Sequence, residues 1–152
     1  MRPLFAALAL FFAAGCADPA PAGPGLSTTL TFKLNEYEER GGLLAIEGRL
    51  ELTIEPSGEA HSACKRDILT DVERKGTLTR EQIADVLARV EAWKSSSKDV
   101  PPAGQNHGLI VYGAKKAGWA KDAALPAELQ ELVKVLLTIP PTLSVERRAK
   151  GK

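Results

Sequence analysis

Two cysteines and two histidines supply all the thiol and imidazole chemistry open to this 152-residue chain. His61 and Cys64 stand three residues apart, Asp67 follows at the same interval, and His107 lies further along. A thiol beside an imidazole is the basis of a cysteine nucleophile, and the same set on paper could form a three-ligand metal site. The spacing argues against both. On a strand, positions 61 and 64 face opposite sides, and no second HxxC or CxxC pair accompanies them. No glycine-rich phosphate loop, paired metal-ligand helix motif or G-x-S-x-G elbow occurs, and residues 113–118, though they hold glycines, open no helix. The expectation is a non-enzyme with no metal ligands. A thiol-dependent enzyme using Cys64 with His61 or His107 is the alternative.

The other cysteine, Cys16, closes a different pattern. Arg2 and the terminal amine precede an uncharged apolar run over residues 4–14, the layout of a secretory signal. At about eleven residues the run falls well short of the roughly twenty that a membrane-crossing helix needs. Ala13, Ala14, Gly15 and Cys16 resemble the lipobox of bacterial lipoproteins, with Ala13 where that family usually carries Leu. The resemblance implies cleavage between Gly15 and Cys16 and two or three acyl chains on Cys16. Two chains hold a protein stably on a bilayer where one is marginal. Covalent lipid is then the only non-protein group expected, and the protein is anchored to a membrane of the bacterial envelope without spanning it. Ala17 rather than Asp after the cysteine favours the outer membrane over the inner, with the domain facing the periplasm or the exterior. A plain signal peptide cut near Ala14 or Ala17 is the other reading.

A formal net charge of +1 removes any electrostatic case for nucleic acid. Aromatic residues are only 5% of the chain, so its core must be aliphatic. With Cys16 acylated, Cys64 is an odd thiol in an oxidising compartment, which leaves burial, pairing between chains or reactivity. Burial is the commonest fate of a free cysteine.

The organisation that carries these residues reads as a signal over 1–15, a Pro/Ala/Gly tether over 16–25 that stands the domain off the bilayer, one α+β domain over 26–141 and a basic flexible tail over 142–152. The tail holds Arg147, Arg148, Lys150 and Lys152. Apolar residues at Leu26, Leu30, Phe32 and Leu34, then at Leu44, Ile46, Leu50, Leu52 and Ile54, alternate with polar ones. They predict an antiparallel hairpin with a charged loop over 35–42, and Gly48 either interrupts the inward face or marks a bulge. Pro56, Ser57 and Gly58 signal a turn, and 59–67 return as a third, weakly alternating strand.

Thr79 and Gln82 have capping-box spacing, and Leu78 and Ile83 stand at the positions of a hydrophobic staple. Ile83, Val86, Leu87, Val90 and Trp93 then form one helical stripe through residue 95, with Asp85 and Arg89 paired outside and Lys94 and Lys98 suited to the helix's negative end. A long loop over 95–107, a strand over 109–112 and a basic turn follow. A second amphipathic helix opens at Pro126, carries Leu129, Leu132, Val133, Leu136 and Leu137, and stops at Pro140 and Pro141. The fold expected is α+β: an antiparallel sheet of about four to five strands, order β-β-β-α-β-β-α, with both helices on one face.

From about Leu30 to Leu137 that order of elements is similar to small bacterial proteins related to emfourin, an inhibitor of thermolysin-like metallopeptidases. The features that carry the likeness are the Gly41-Gly42 hairpin, the capped helix, the strand with Val111 and Tyr112 and the helix opened by Leu125 and Pro126. The insert over 57–76 and the loop over 95–107 depart from the pattern, and no inhibitory residue carries over. The resemblance implies a binding or inhibitor module. Contacts with an envelope protein or a peptidase are expected in the loops over 35–42 and 95–107, with Tyr37, Arg40, His107 and Trp119 as candidate partner-binding residues. A structural lipoprotein without a soluble ligand is the remaining alternative.

Overall fold

A computed structural model describes residues 25–40, 43–66, 70–96 and 107–148. In chain order the elements are β1 (Leu30–Arg40), β2 (Leu43–Ile54), β3 (Glu59–Arg66), β4 (Thr70–Thr77), α1 (Arg80–Ser95), β5 (Gly108–Tyr112), β6 (Lys115–Trp119), α2 (Ala127–Thr138), a short 3₁₀ turn (Pro140–Thr142) and β7 (Ser144–Arg148). The seven strands form one antiparallel sheet in the order β6-β5-β1-β2-β3-β4-β7. The segments expected to be a signal and a tether, residues 97–106 of the expected long loop and the last four residues lie outside the described residues.

Register explains the core. Leu30 pairs with Ile54 and Tyr112, and Phe32 pairs with Leu52 and Ile110, so these side chains share one face. All six are buried, as are Ala60 on β3 and Ala117 and Trp119 on β6. Val86, Val90 and Trp93 of α1 and Leu129, Leu132 and Leu136 of α2 complete the same cluster, so both helices cover that face. The alternate positions, among them Lys33, Glu51, His61 and Lys116, stay at least partly exposed on the other.

Helix α1 forms as its sequence predicts. Gln82 N–H donates to Thr79 Oγ1 at 3.2 Å while Thr79 N–H donates to Gln82 Oε1 at 2.8 Å, which closes the capping box. Glu81 sits in the first turn, and hydrogen bonds from its own backbone N–H and from the Thr79 hydroxyl hold its carboxyl below the ordinary carboxylate value. Asp85 and Arg89 pair at 3.4 Å. The carboxyl end is held from outside the helix: Lys115 Nζ, at the start of β6, donates to the carbonyls of Trp93, Lys94 and Ser96 at 2.7, 2.9 and 3.1 Å and lies 5.3 Å from the centre of the Trp93 ring. One ammonium thus satisfies three carbonyls that a helix end leaves without intrahelical partners.

Five expectations need correction. The sheet has seven strands rather than four or five, because β4 and β7 carry too little apolar alternation to read as strands. On the core side β4 offers Val72, Arg74 and Gly76, and Arg74 spends its charge on the Pro140 carbonyl at 3.4 Å. Residues 144–148, expected in a flexible tail, form β7 and pair with β4. The loop over 35–42 is strand as far as Arg40, and β2 resumes at Leu43; Gly41 and Gly42 lie outside the described residues. Leu137 is 40% exposed rather than part of the helical stripe. Leu26 is buried but precedes the strand, fixed beside Ser27, whose N–H donates to Tyr112 Oη at 3.0 Å.

Gly108 shows how closely the far edge of the sheet packs. It pairs with Trp119, and a Cβ at Gly108 would fall inside the indole, against Cζ2 and Cε2. Only glycine leaves that ring room to lie on the strand. Gly108→Ala is therefore expected to destabilise by about 1–3 kcal/mol, the usual cost of overpacking, read as a lower midpoint in urea. Lys115→Met, which keeps the stem and removes the three donors, is expected to cost about 1–3 kcal/mol and to speed amide exchange in the last turn of α1. The Glu81 carboxyl should titrate below a free glutamate by NMR. Since its folded value is depressed, the stability it contributes is present above the unfolded-state value and is lost as pH falls through the folded one.

Candidate binding surface

The two ends of the sheet differ. Residues 25–29 reach β1 beside the turn at Pro56, where a Cβ on Gly25 would stand 3.1 Å from the Pro56 carbonyl oxygen. β1 then runs eleven residues to the opposite end, about 35 Å at the rise of a strand. There it outruns its neighbours. β5 pairs with β1 only as far as Leu34, and β3 pairs with β2 only from Gly48 onward. Among the described residues, 37–40 and 43–46 therefore pair only with each other, as a two-stranded arm. The register shifts at its root, from Glu36 opposite Gly48 to Tyr37 opposite Ile46, so Glu47 is the extra residue of a bulge. A bulge adds twist and turns a ribbon away from its sheet.

The candidate residues separate on this frame. Tyr37 and Arg40 belong to the arm, opposite Ile46 and Leu43. His107 stands at the arm's root: Asn35 N–H donates to its carbonyl at 2.7 Å, and its own N–H donates to the Trp119 carbonyl at 2.7 Å. Trp119 is only 4% exposed and rests on Gly108, so it is a core residue rather than a partner contact. Aromatic character alone does not separate these two roles; the empty space above a cross-strand glycine does. Gly15 and Cys16 lie outside the described residues.

The thiol and the imidazoles are not brought together. Cys64 pairs with Leu50 and Val72 on the helix-bearing face and is partly buried, whereas His61 is exposed on the opposite face. His107 is three strands away from β3 in the sheet order, about 14 Å at the usual strand spacing. Asp67 lies outside the described residues. Among the described residues no three His, Cys, Asp or Glu side chains gather closely enough to hold a metal ion.

The open face carries a ladder of charge that sequence reading did not single out. Lys33 pairs with Glu51 at 3.0 Å, and Thr29 Oγ1 donates to Glu55 at 2.7 Å. In the next row toward the arm, Asn35 stands opposite Arg49 and Arg49 opposite Lys65. Arg49 Nε donates to Asn35 Oδ1 at 3.2 Å. Between these rows a hollow of about 60 Å³ is lined by Arg49, Glu51, Ala63 and Lys65. It forms because Ala63 stands opposite Glu51 and Glu73, a methyl among long side chains. The alternation of β2 reveals Arg49 as outward-facing, but its meeting with Lys65 depends on the β2–β3 register.

Separation of Cys64 from both histidines has a direct consequence. His61→Ala and His107→Ala should each leave the rate at which a small thiol reagent labels native Cys64 unchanged, whereas a thiol–imidazole pair would slow on losing its base. Among the described residues no helix is long and apolar enough to cross a membrane. Comparison with known protein families, curated proteins and solved structures finds no match.

Proposed function

We propose that this protein is a lipid-anchored lipoprotein of the bacterial envelope, held through Cys16, whose α+β domain binds a protein partner with the β1–β2 arm and the sheet end around it. One observation carries the reading. The chain enters the sheet at the end opposite the arm, so a tether attached at Cys16 would leave the arm on the side of the domain facing away from the bilayer. An isolated two-stranded ribbon is marginal in water, and this one sets Leu43, Leu44, Ala45 and Ile46 on one strand opposite Arg40, Glu39, Glu38 and Tyr37 on the other. A partner segment laid along the arm would pair backbone that, among the described residues, has no third strand beside it. Of the sequence candidates, Tyr37, Arg40 and His107 belong to this end. The outer membrane is the proposed site, and a peptidase is the partner class that the likeness to emfourin-related proteins suggests.

Two measurements test this. Intact mass of protein purified from its own cells should show loss of residues 1–15 and addition of acyl chains, and Cys16→Ser should release the protein from membranes; an unmodified cysteine overturns the anchor. A photo-crosslinking residue at Tyr37 should yield a discrete protein adduct in envelopes that the same residue at Ser57, in the turn at the tether end, does not. Equal or absent adducts at the two positions overturn the arm.

A further inference from the structure

We infer that the β2 edge of the arm, over residues 43–46, takes an extended segment of the partner as an added strand, and that this segment is apolar with Lys or Arg at its ends. The inference rests on the role proposed above for the arm and names which edge binds and what it recognises. Gly48 stands opposite Arg66, and Arg66 opposite Thr70, so β3 and β4 both have their ends where β2 runs on. Beyond that point, among the described residues, no strand lies on this side of 43–46. Alternate residues of an antiparallel pair turn N–H and C=O away from their partner, so two of these four present donors and acceptors along the edge. The β1 edge differs. His107, through which the chain enters β5, meets it at Asn35, and residues 38–40 are all charged.

The outer strands of the sheet show what this edge lacks. Natural sheets blunt an open edge with charge, bulges or short strands. β6, the outer strand on one side, is five residues long and carries Lys115 and Lys116. β7, on the other side, carries Glu146, Arg147 and Arg148, with a register shift that makes Glu146 the extra residue. Leu43, Leu44, Ala45 and Ile46 hold neither charge nor proline, and the shift in β2 falls after them, at Glu47. Four apolar residues in succession are the pattern of a strand that is flanked and covered rather than of a margin. Around them the sequence is acidic: over residues 36–47, Glu36, Glu38, Glu39 and Glu47 stand against Arg40 alone. Lys or Arg at the ends of an added strand meets that charge, which sets its orientation and disfavours acidic segments. Strand addition then takes its affinity from the backbone and its specificity from side chains.

The test is a titration of the full chain with the peptide Ac-Lys-Val-Thr-Val-Thr-Val-Lys-NH2, followed by backbone amide shifts and hydrogen exchange. Two control peptides carry Glu in place of both Lys, or N-methyl groups on the five central residues, which remove the donors and keep the side chains. The first peptide should give saturable shifts over 43–46 with a Kd on the order of 0.1–1 mM and slow exchange at alternate amides there. The Glu-ended peptide should bind at least about threefold more weakly, and the N-methylated one should not bind. Ala45→Lys, which puts a protective charge on the edge, should weaken binding at least about fivefold and leave Tm unchanged, since position 45 lies beyond the core rows. Should that variant fail to fold, the N-methylated peptide makes the same comparison on the unaltered chain. Protection over 37–40 in place of 43–46, equal binding of either control, or undiminished binding to Ala45→Lys overturns the assignment. Protection of 43–46 that rises with protein concentration in the absence of peptide also overturns it, because the occupant is then a second copy of this chain. The crosslinking result is separate: an adduct at Tyr37 with no peptide binding removes strand addition alone, and the reverse removes the arm as the contact in the envelope.

Discussion

Leu30, Phe32, Leu52, Ile54 and Ile110 lose essentially all contact with water only because two helices cover the single face on which they meet. Full burial of each such side chain contributes about 1.5–3 kcal/mol. The exposed ion pairs on the opposite face contribute at most about 1 kcal/mol each. The helix-bearing face therefore holds the molecule together. The other face is released from that task, and charge and small residues can be placed there at little cost to stability. One-sided burial is what an antiparallel sheet permits and a parallel sheet rarely does.

Covering that face requires the helices to be fixed at both ends. α1 is specified at its amino end by local sequence, through Thr79, Gln82 and the Leu78–Ile83 pair. At its carboxyl end it depends on Lys115, a residue twenty positions beyond Ser95 in sequence. The same lysine holds the register position opposite Tyr112, whose hydroxyl fixes Ser27. Helix end, β5–β6 hairpin and the approach to β1 thus meet in one corner. That corner lies at the end of the sheet where residues 25–29 lead into β1.

The far end is built differently. Trp119 closes the core over Gly108, and beyond that row only β1 and β2 continue. The bulge at Glu47 changes which β2 residues stand opposite which β1 residues, so the even-numbered residues of β2, aligned with the core as far as Leu50, are out of step with it past Gly48. Binding surfaces are commonly found where a rigid scaffold ends and backbone runs on without flanking partners. Here the arm, His107 and the Arg49–Lys65 hollow all occur within about two residue rows of that boundary.

Local physics made much of the architecture legible in advance. Capping chemistry at Thr79, the helical stripe to Trp93, the stop at Pro140 and Pro141 and the alternation of β1 and β2 involve residues within a few positions of one another, and their periods reflect which face is buried. The opposite facing of His61 and Cys64 likewise follows from strand geometry alone. What the chain could not show locally was everything that depends on a partner distant in sequence. β4 and β7 are held by strand pairing, β4 between β3 and β7 and β7 along β4, so no apolar period marks them. Trp119 has the composition of a contact residue and becomes core only when Gly108 is set beneath it. Arg49 and Lys65 are unremarkable surface cations until register brings them face to face. Sequence alone determined the two helices, the β1–β2 hairpin and the faces they bury; only the tertiary structure decided which residues meet and that β4 and β7 are strands, because pairing between strands is settled by the whole sheet at once.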